Sequence, residues 1–178
     1  MKNKEPEKFN SKNKFSTIEE TVIFQQKGPW KTKSNAELRV LFALSNQEVL
    51  KYLQYNQNEL DKIPQDIRGI RAYSVTNLKK ESEGGREFHK VRKELFFLLA
   101  GSVKLTLEDI YGGTKNLILD SQKGIYIPPF VLHTYKTLED NSNFLVLANT
   151  LFDVDNPRTH DTFSEMIFKE IQRQYQVS

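Results

Sequence analysis

The 178-residue chain contains no cysteine, so it forms no disulfide, has no thiolate nucleophile and offers no sulfur ligand to a metal. That composition fits a reducing compartment, and a cytoplasmic protein is expected. No apolar run approaches the ~20 residues a membrane helix needs, and no apolar stretch follows the charged N-terminus to make a signal peptide. A soluble chain without a membrane partner follows. Net charge is also small: 26 basic against 23 acidic residues leave +3. Much of the excess lies in the first fourteen positions, where Lys2, Lys4, Lys8, Lys12 and Lys14 face only Glu5 and Glu7. Such a polar run is a solvated tail and not a basic face interleaved with aromatics, so nucleic acid is not an expected partner. Histidine is scarce too, with three residues.

What is present suits one domain large enough to bury a core without staples. Residues 1–17 read as a disordered polar tail. Thr21 to Phe24 is the first apolar segment, followed by a turn at Gly28, Pro29 and Trp30. Leu38 to Leu44 is apolar and partly β-branched, too short for its period to separate strand from helix. Ser45 or Asn46 then caps a helix through Glu48, Val49, Leu50, Tyr52 and Leu53, closed by the polar stretch up to Lys62.

From Ile67 the pattern changes to short strand-like runs at 67–75, 94–101, 103–110, 115–120, 123–128 and 143–149. Turn formers separate them at 83–85, 111–113, 121–123 and 140–142, which favours an all-β sandwich or barrel. After Asn149 comes a polar loop with Pro157, and then Phe163, Ile167, Phe168 and Ile171 at the spacing of an amphipathic terminal helix. The domain reading is a tail at 1–17, an extension at 18–62 packed on the barrel, and a barrel with its C-terminal helix at 63–178.

Two of the three histidines fall in recognisable blocks. Glu87, Phe88, His89, four residues, Glu94, six residues and Gly101 resemble the double-histidine motif of the cupin superfamily, with Glu87 in place of its first histidine. Residues two apart in a strand leave on one face, so Glu87 and His89 share a side. Pro128, Pro129 and His133 are similar to the second cupin block, although Phe130 stands where glycine is usual. The resemblance implies a single cupin, an RmlC-like jelly-roll barrel.

Within the superfamily, residues 63 to about 165 resemble the WxcM-like sugar 3,4-ketoisomerases. Four segments carry this: IPQDIRGIRAYSV, GGREFHKVRKELFFLLAGSVKLTLED, IYIPPFVLHTY and FLVLANTLFDVDNPRTHDTF. The second matches the group's RG-x-HAHK segment and its following glutamine. His89 and Lys90 agree with the second histidine and the lysine; Gly84 replaces the arginine, Glu87 the first histidine, Phe88 the alanine and Glu94 the glutamine.

The resemblance implies an isomerase of nucleotide-linked 4-keto-6-deoxy sugars, moving a proton between C3 and C4 through an enediol. Its substrate would be a dTDP-linked keto sugar in deoxysugar and polysaccharide biosynthesis, with no cofactor and a homodimeric assembly. His89 and Glu87 are the candidate catalytic pair, since histidine is a base near neutral pH and a carboxylate shuttles protons when burial raises its pKa. Arg71, Tyr73, Lys90, Glu94, His133 and Tyr135 are candidate substrate-binding residues, with Arg71 and Lys90 on the diphosphate. Glu87, His89, Glu94 and His133 are also an oxygen and nitrogen donor set that suits Fe(II), Mn(II) or Zn(II). Against a metal stands the resemblance, which is to branches of the fold that work without one. Two other readings remain: a non-catalytic cupin that binds a nucleotide sugar or a protein, with Phe88, Phe130 or Tyr135 filling the pocket, and a 3-epimerase on the same substrates.

Overall fold

The computed structural model describes residues 14–61 and 63–177. In chain order its elements are β1 (Val22–Gln25), β2 (Lys27–Lys31), β3 (Glu37–Val40), α1 (Asn46–Leu53), α2 (Gln57–Leu60), β4 (Arg68–Leu78), β5 (Glu83–Phe88), β6 (Glu94–Ala100) and β7 (Ser102–Asp109). Then follow β8 (Thr114–Asp120), β9 (Lys123–Ile127), β10 (Val131–Thr137), β11 (Ser142–Thr150), β12 (Phe163–Ser164) and α3 (Glu165–Val177).

Strand pleating sorts these residues into layers. Along β7, Val103, Leu105 and Leu107 are buried and alternate with Lys104, Thr106 and Glu108, which are not. Two five-stranded antiparallel sheets result, in the orders β1-β9-β6-β11-β4 and β12-β5-β10-β7-β8, with β2 and β3 forming a separate hairpin. Their inner faces supply one core of Phe96, Leu98, Val103, Leu105, Leu107, Leu119, Ile125, Ile127, Val131, Phe144 and Val146. This is the all-β jelly roll that the sequence pattern implied.

The outer faces are covered as well. Leu95 and Phe97 point away from the inner core and meet Tyr52, Leu53 and Tyr126, with Phe24, Phe42 and Leu44 packed against them. Phe42 stacks on Phe97 at 4.8 Å. Burial on both faces is why ELFFLL reads as an unbroken apolar run, and each such side chain contributes about 1.5–3 kcal/mol. On the other sheet, Phe168 and Ile171 of α3 pack with Phe88, Ile110 and Leu132.

The N-terminal third departs from the sequence reading in several places. Residues 1–13 of the expected tail lie outside the described residues, but Phe15 is buried in the α3 cluster and so belongs to the core. β1 pairs with β9, making this segment a strand of the first sheet. The expected turn at Gly28 to Trp30 lies inside β2. Leu38 to Leu44 resolves into the end of β3 and an irregular link, after which Ser45 caps α1 in a capping box with Glu48. That cap stabilises the short helix by about 1 kcal/mol.

Two further corrections bear on the site. Glu83 to Gly85, expected as a turn, is the first half of β5. Gly85 (φ +77°) and Arg86 (φ +57°) form a bulge opposite the register shift between His133 and Thr134. A Cβ on Gly85 would sit 2.6 Å from the His133 carbonyl oxygen, so the glycine permits a close strand approach and not a chain reversal. Residues 131–137, not singled out as a strand, form β10 inside the second sheet. Among the described residues no helix is long and apolar enough to cross a membrane.

Candidate active site

The inner faces of both sheets bring polar side chains together at one end of the core. β6 begins with Glu94, which shares the inward face of Phe96 and Leu98. In β10, His133 lies on the face of Val131 and Tyr135, and its backbone is paired with Glu87 across the sheet. His89 follows β5 two residues after Glu87, while Phe88 between them turns outward into the α3 cluster. From β4, Arg71 and Tyr73 alternate with the exposed Ile70, Ala72 and Ser74, so both face inward.

Glu94 is the hub. One carboxylate oxygen lies 3.5 Å from His89 Nε2 and 3.7 Å from His133 Nε2; the other accepts from the Tyr73 hydroxyl at 3.0 Å and faces Arg92 Nη1 at 3.4 Å. The two imidazole rings have centroids 5.2 Å apart. His89 Nδ1 lies 2.5 Å from the Asp161 main-chain oxygen and His133 Nδ1 3.2 Å from that of Val131. Carbonyl oxygens only accept, so each Nδ1 carries a proton and each Nε2 is the atom left to exchange one.

The electrostatics follow from burial. Burial alone would raise the Glu94 carboxyl, but the charge and hydrogen bond of His89, then His133 and Arg92, outweigh it and hold the group well below the usual carboxylate range. Glu94 is therefore an anion and an acceptor at neutral pH. Burial lowers His133 below the usual imidazole value, with His89 acting in the same direction and Glu94 and Glu87 against it. Burial and the Glu94 charge push the Tyr73 phenol up, so it stays a donor.

The remaining predicted residues take distinct places. Glu87 influences His133 and Tyr135 by charge but makes no hydrogen bond to either ring among the described residues. Tyr135 packs against the inner core, and its hydroxyl occupies the space a Cβ at Gly84 would need. Arg71 lies between the rings of Tyr73 and Phe152, at 5.3 and 5.1 Å, with Nη1 buried and lacking a hydrogen-bond partner. Lys90 Nζ lies over the Phe163 ring at 4.7 Å. Phe88 and Phe130 sit in the α3 cluster and leave the space between the histidines unfilled by either. His160, outside the cluster, stacks on Phe152 at 4.7 Å.

Sequence reasoning missed Arg92 and Asp161. Arg92 is 2 % exposed and donates from Nε to Thr150 at 3.1 Å and from Nη2 to Thr162 at 3.3 Å. The Asp161 carboxylate accepts the backbone N–H groups of Lys90, Val91 and Arg92 at 2.8–3.0 Å, which fixes the loop carrying both His89 and Arg92. Arg92 had a local signal, a cation inside the motif between His89 and Glu94. Asp161 had none, because its contacts cross about seventy residues of chain.

Glu87, His89 and His133 offer three donor atoms within 4.8 Å of one another, a nitrogen and oxygen set that suits a divalent metal. The Arg92 guanidinium opposes one, since Nη1 stands 3.4 Å from His89 Nε2, the donor a cation would need.

Residues 36–167 match the family model FdtA, described as WxcM-like, C-terminal. A TDP-4-oxo-6-deoxy-alpha-D-glucose-3,4-oxoisomerase from Aneurinibacillus thermoaerophilus is 31% identical over 114 residues, covering 62% of this chain and 79% of that protein. The fold is shared with a 3,4-ketoisomerase from Helicobacter canadensis, at a TM-score of 0.60 and 16% identity over 88% of this chain and 98% of the other. It is shared also with QdtA, a sugar 3,4-ketoisomerase from Thermoanaerobacterium thermosaccharolyticum in complex with TDP, at a TM-score of 0.58 and 20% identity over 89% and 99%.

Proposed function

The chain belongs to the FdtA family of WxcM-like, C-terminal proteins, and from that membership and the geometry of its site we propose a sugar-nucleotide 3,4-ketoisomerase acting on a dTDP-linked 4-keto-6-deoxy sugar in deoxysugar biosynthesis. Membership supplies the reaction class, as the similar proteins are TDP-sugar ketoisomerases. The observation that carries it to this chain is the buried His89 with Nδ1 held by a carbonyl and Nε2 turned to the interior, the arrangement a general base for enolisation needs.

In this reading His89 Nε2 takes the proton from C3, the enediol forms, and the proton returns at C4. Glu87 is the second candidate catalytic group, at the place of the family's first histidine. Tyr73, Glu94, His133 and Tyr135 line the sugar site. Arg71, with its buried and unsatisfied Nη1, is the diphosphate ligand, and Lys90 joins it from the loop after β5. The absence of cysteine accords with the cytoplasm. A homodimer is proposed from β4, an edge strand with Ile70 55% exposed, because pairing between copies covers such an edge. Light scattering at the monomer mass would remove that part.

Two measurements test the proposal. A dTDP titration should raise the melting temperature, since a ligand of the folded state stabilises it by RT ln(1 + [L]/Kd). Turnover of dTDP-4-keto-6-deoxyglucose in deuterated water should place deuterium in the ring, and His89→Asn should abolish turnover while dTDP affinity stays near normal. A protein inert toward every such sugar, yet stabilised by dTDP, would be a binding module.

A further inference from the structure

We propose that Arg92 is a catalytic residue of this site: its guanidinium is the fixed cation that stabilises the enediolate oxygens formed when His89 removes the sugar proton. The inference rests on the isomerase reading and adds to it a residue that the motif did not point to.

The first observation is how the side chain is held. Arg92 is 2 % exposed, and Thr150 and Thr162 anchor Nε and Nη2 from the far side. Asp161 fixes its backbone N–H at 2.8 Å. With two of its nitrogens anchored, the guanidinium plane is set, and Nη1 is delivered to one place. Its position is not an accident of a flexible chain.

The second observation is what Nη1 meets there. It lies 3.4 Å from His89 Nε2 and 3.4 Å from Glu94 Oε1. Strong charged hydrogen bonds run about 2.7–2.9 Å. An arginine with a purely structural task would close onto the carboxylate in a bidentate pair, whereas this one faces both groups loosely and has donor capacity left for a ligand oxygen. It also stands beside the very nitrogen that takes the proton, so a sugar whose C3 approaches His89 Nε2 brings O3 and O4 within the range of the cation.

The chemistry needs such a charge. When His89 Nε2 takes the C3 proton, the C–H bond breaks, an N–H bond forms, and the electron pair makes the C3–C4 double bond while the carbonyl pair moves onto O4. The negative charge arises on that oxygen. The O3 proton then passes to O4, the pair on O3 forms the new carbonyl, and C4 takes the proton back from His89. No further reactant is consumed. A preorganised cation where the oxyanion develops lowers the barrier without reorganising, which is the task a Lewis-acid ion performs elsewhere. Arg71, stacked between Tyr73 and Phe152, is engaged on another side of the site.

The experiment compares Arg92→Ala and Arg92→Lys with the unaltered protein, reading kcat, KM, dTDP affinity and the thermal transition. Turnover by the unaltered protein decides the isomerase reading; without it both ideas fall. Given turnover, Arg92→Ala should lose at least about 100-fold in kcat with KM and dTDP affinity little changed, the loss seen when an oxyanion donor is removed. Guanidinium ion at a non-denaturing concentration should restore part of the rate. If Arg92→Ala does not fold, Arg92→Lys carries the test, and it should lose kcat because one point charge replaces a planar donor edge. Either folded variant with wild-type kcat, a loss confined to KM, or a folded alanine variant that guanidinium does not rescue would overturn the assignment.

Discussion

The main-chain oxygen of Asp161 sits 2.5 Å from Nδ1 of His89, while the carboxylate of the same aspartate accepts three consecutive N–H groups from the loop after His89. One residue thus sets the tautomer of the candidate base and the path of the chain that carries Arg92. Asp161→Ala should destabilise the fold by about 2 kcal/mol or more, because buried N–H groups lose a charged acceptor. Urea denaturation measures this, and a kcat loss greater than that of Asp161→Asn should accompany it. Unchanged stability and rate in the alanine variant would show that water replaces the carboxylate at no cost.

Glu94 predicts a pH dependence. Its folded carboxyl titrates below the unfolded value near ~4.3, so its ionised form contributes stability above that pH and the contribution is lost as pH falls through the folded value. Glu94→Gln, which restores the family residue, removes this contribution. Urea midpoints of the two proteins should therefore differ most near neutral pH and converge on acidification below about pH 4. A gap that stays constant across that range would mean the charge of Glu94 does not stabilise the site.

Glu87→His would restore the family's histidine pair opposite His133. A carboxylate with a pKa near ~4 is a poor proton donor at neutral pH, so the histidine should preserve or raise turnover of a dTDP-4-keto-6-deoxy sugar. A large fall in kcat with folding intact would show that this chain has adapted its site to the carboxylate.

Phe130 holds a left-handed conformation, φ +59°, at the position where the motif usually has glycine, and its N–H donates to the His89 carbonyl at 2.7 Å. That backbone costs a residue with a side chain about 1–2 kcal/mol. Packing on Phe15 and Phe88 at centroid distances of 4.7 and 5.9 Å offsets it, since a buried aromatic contributes about 1.5–3 kcal/mol and each ring pair about 0.5–1.5 kcal/mol more. Phe130→Gly should thus lower the thermal transition in spite of relieving strain. A raised transition would reverse that balance.

Period and punctuation in the sequence determined the all-β class, the strands from Ile67 onward, the cap at Ser45 and the terminal helix, because these depend on residues within a few positions of one another. The motif spacing likewise placed Glu87 and His89 on one face, since alternation is a property of any strand. Tertiary structure decided the rest. The turn formers at Glu83 to Gly85 became a bulged strand because a neighbouring strand, β10, was there to pair with them. Phe15 became core because α3 returns across the second sheet from the far end of the chain. The partner of His89 within hydrogen-bonding range is Glu94 and not Glu87, and the loop is locked by Asp161, for the same reason: these contacts join segments that only the closing of two sheets over one core brings together, and no local pattern records that distance.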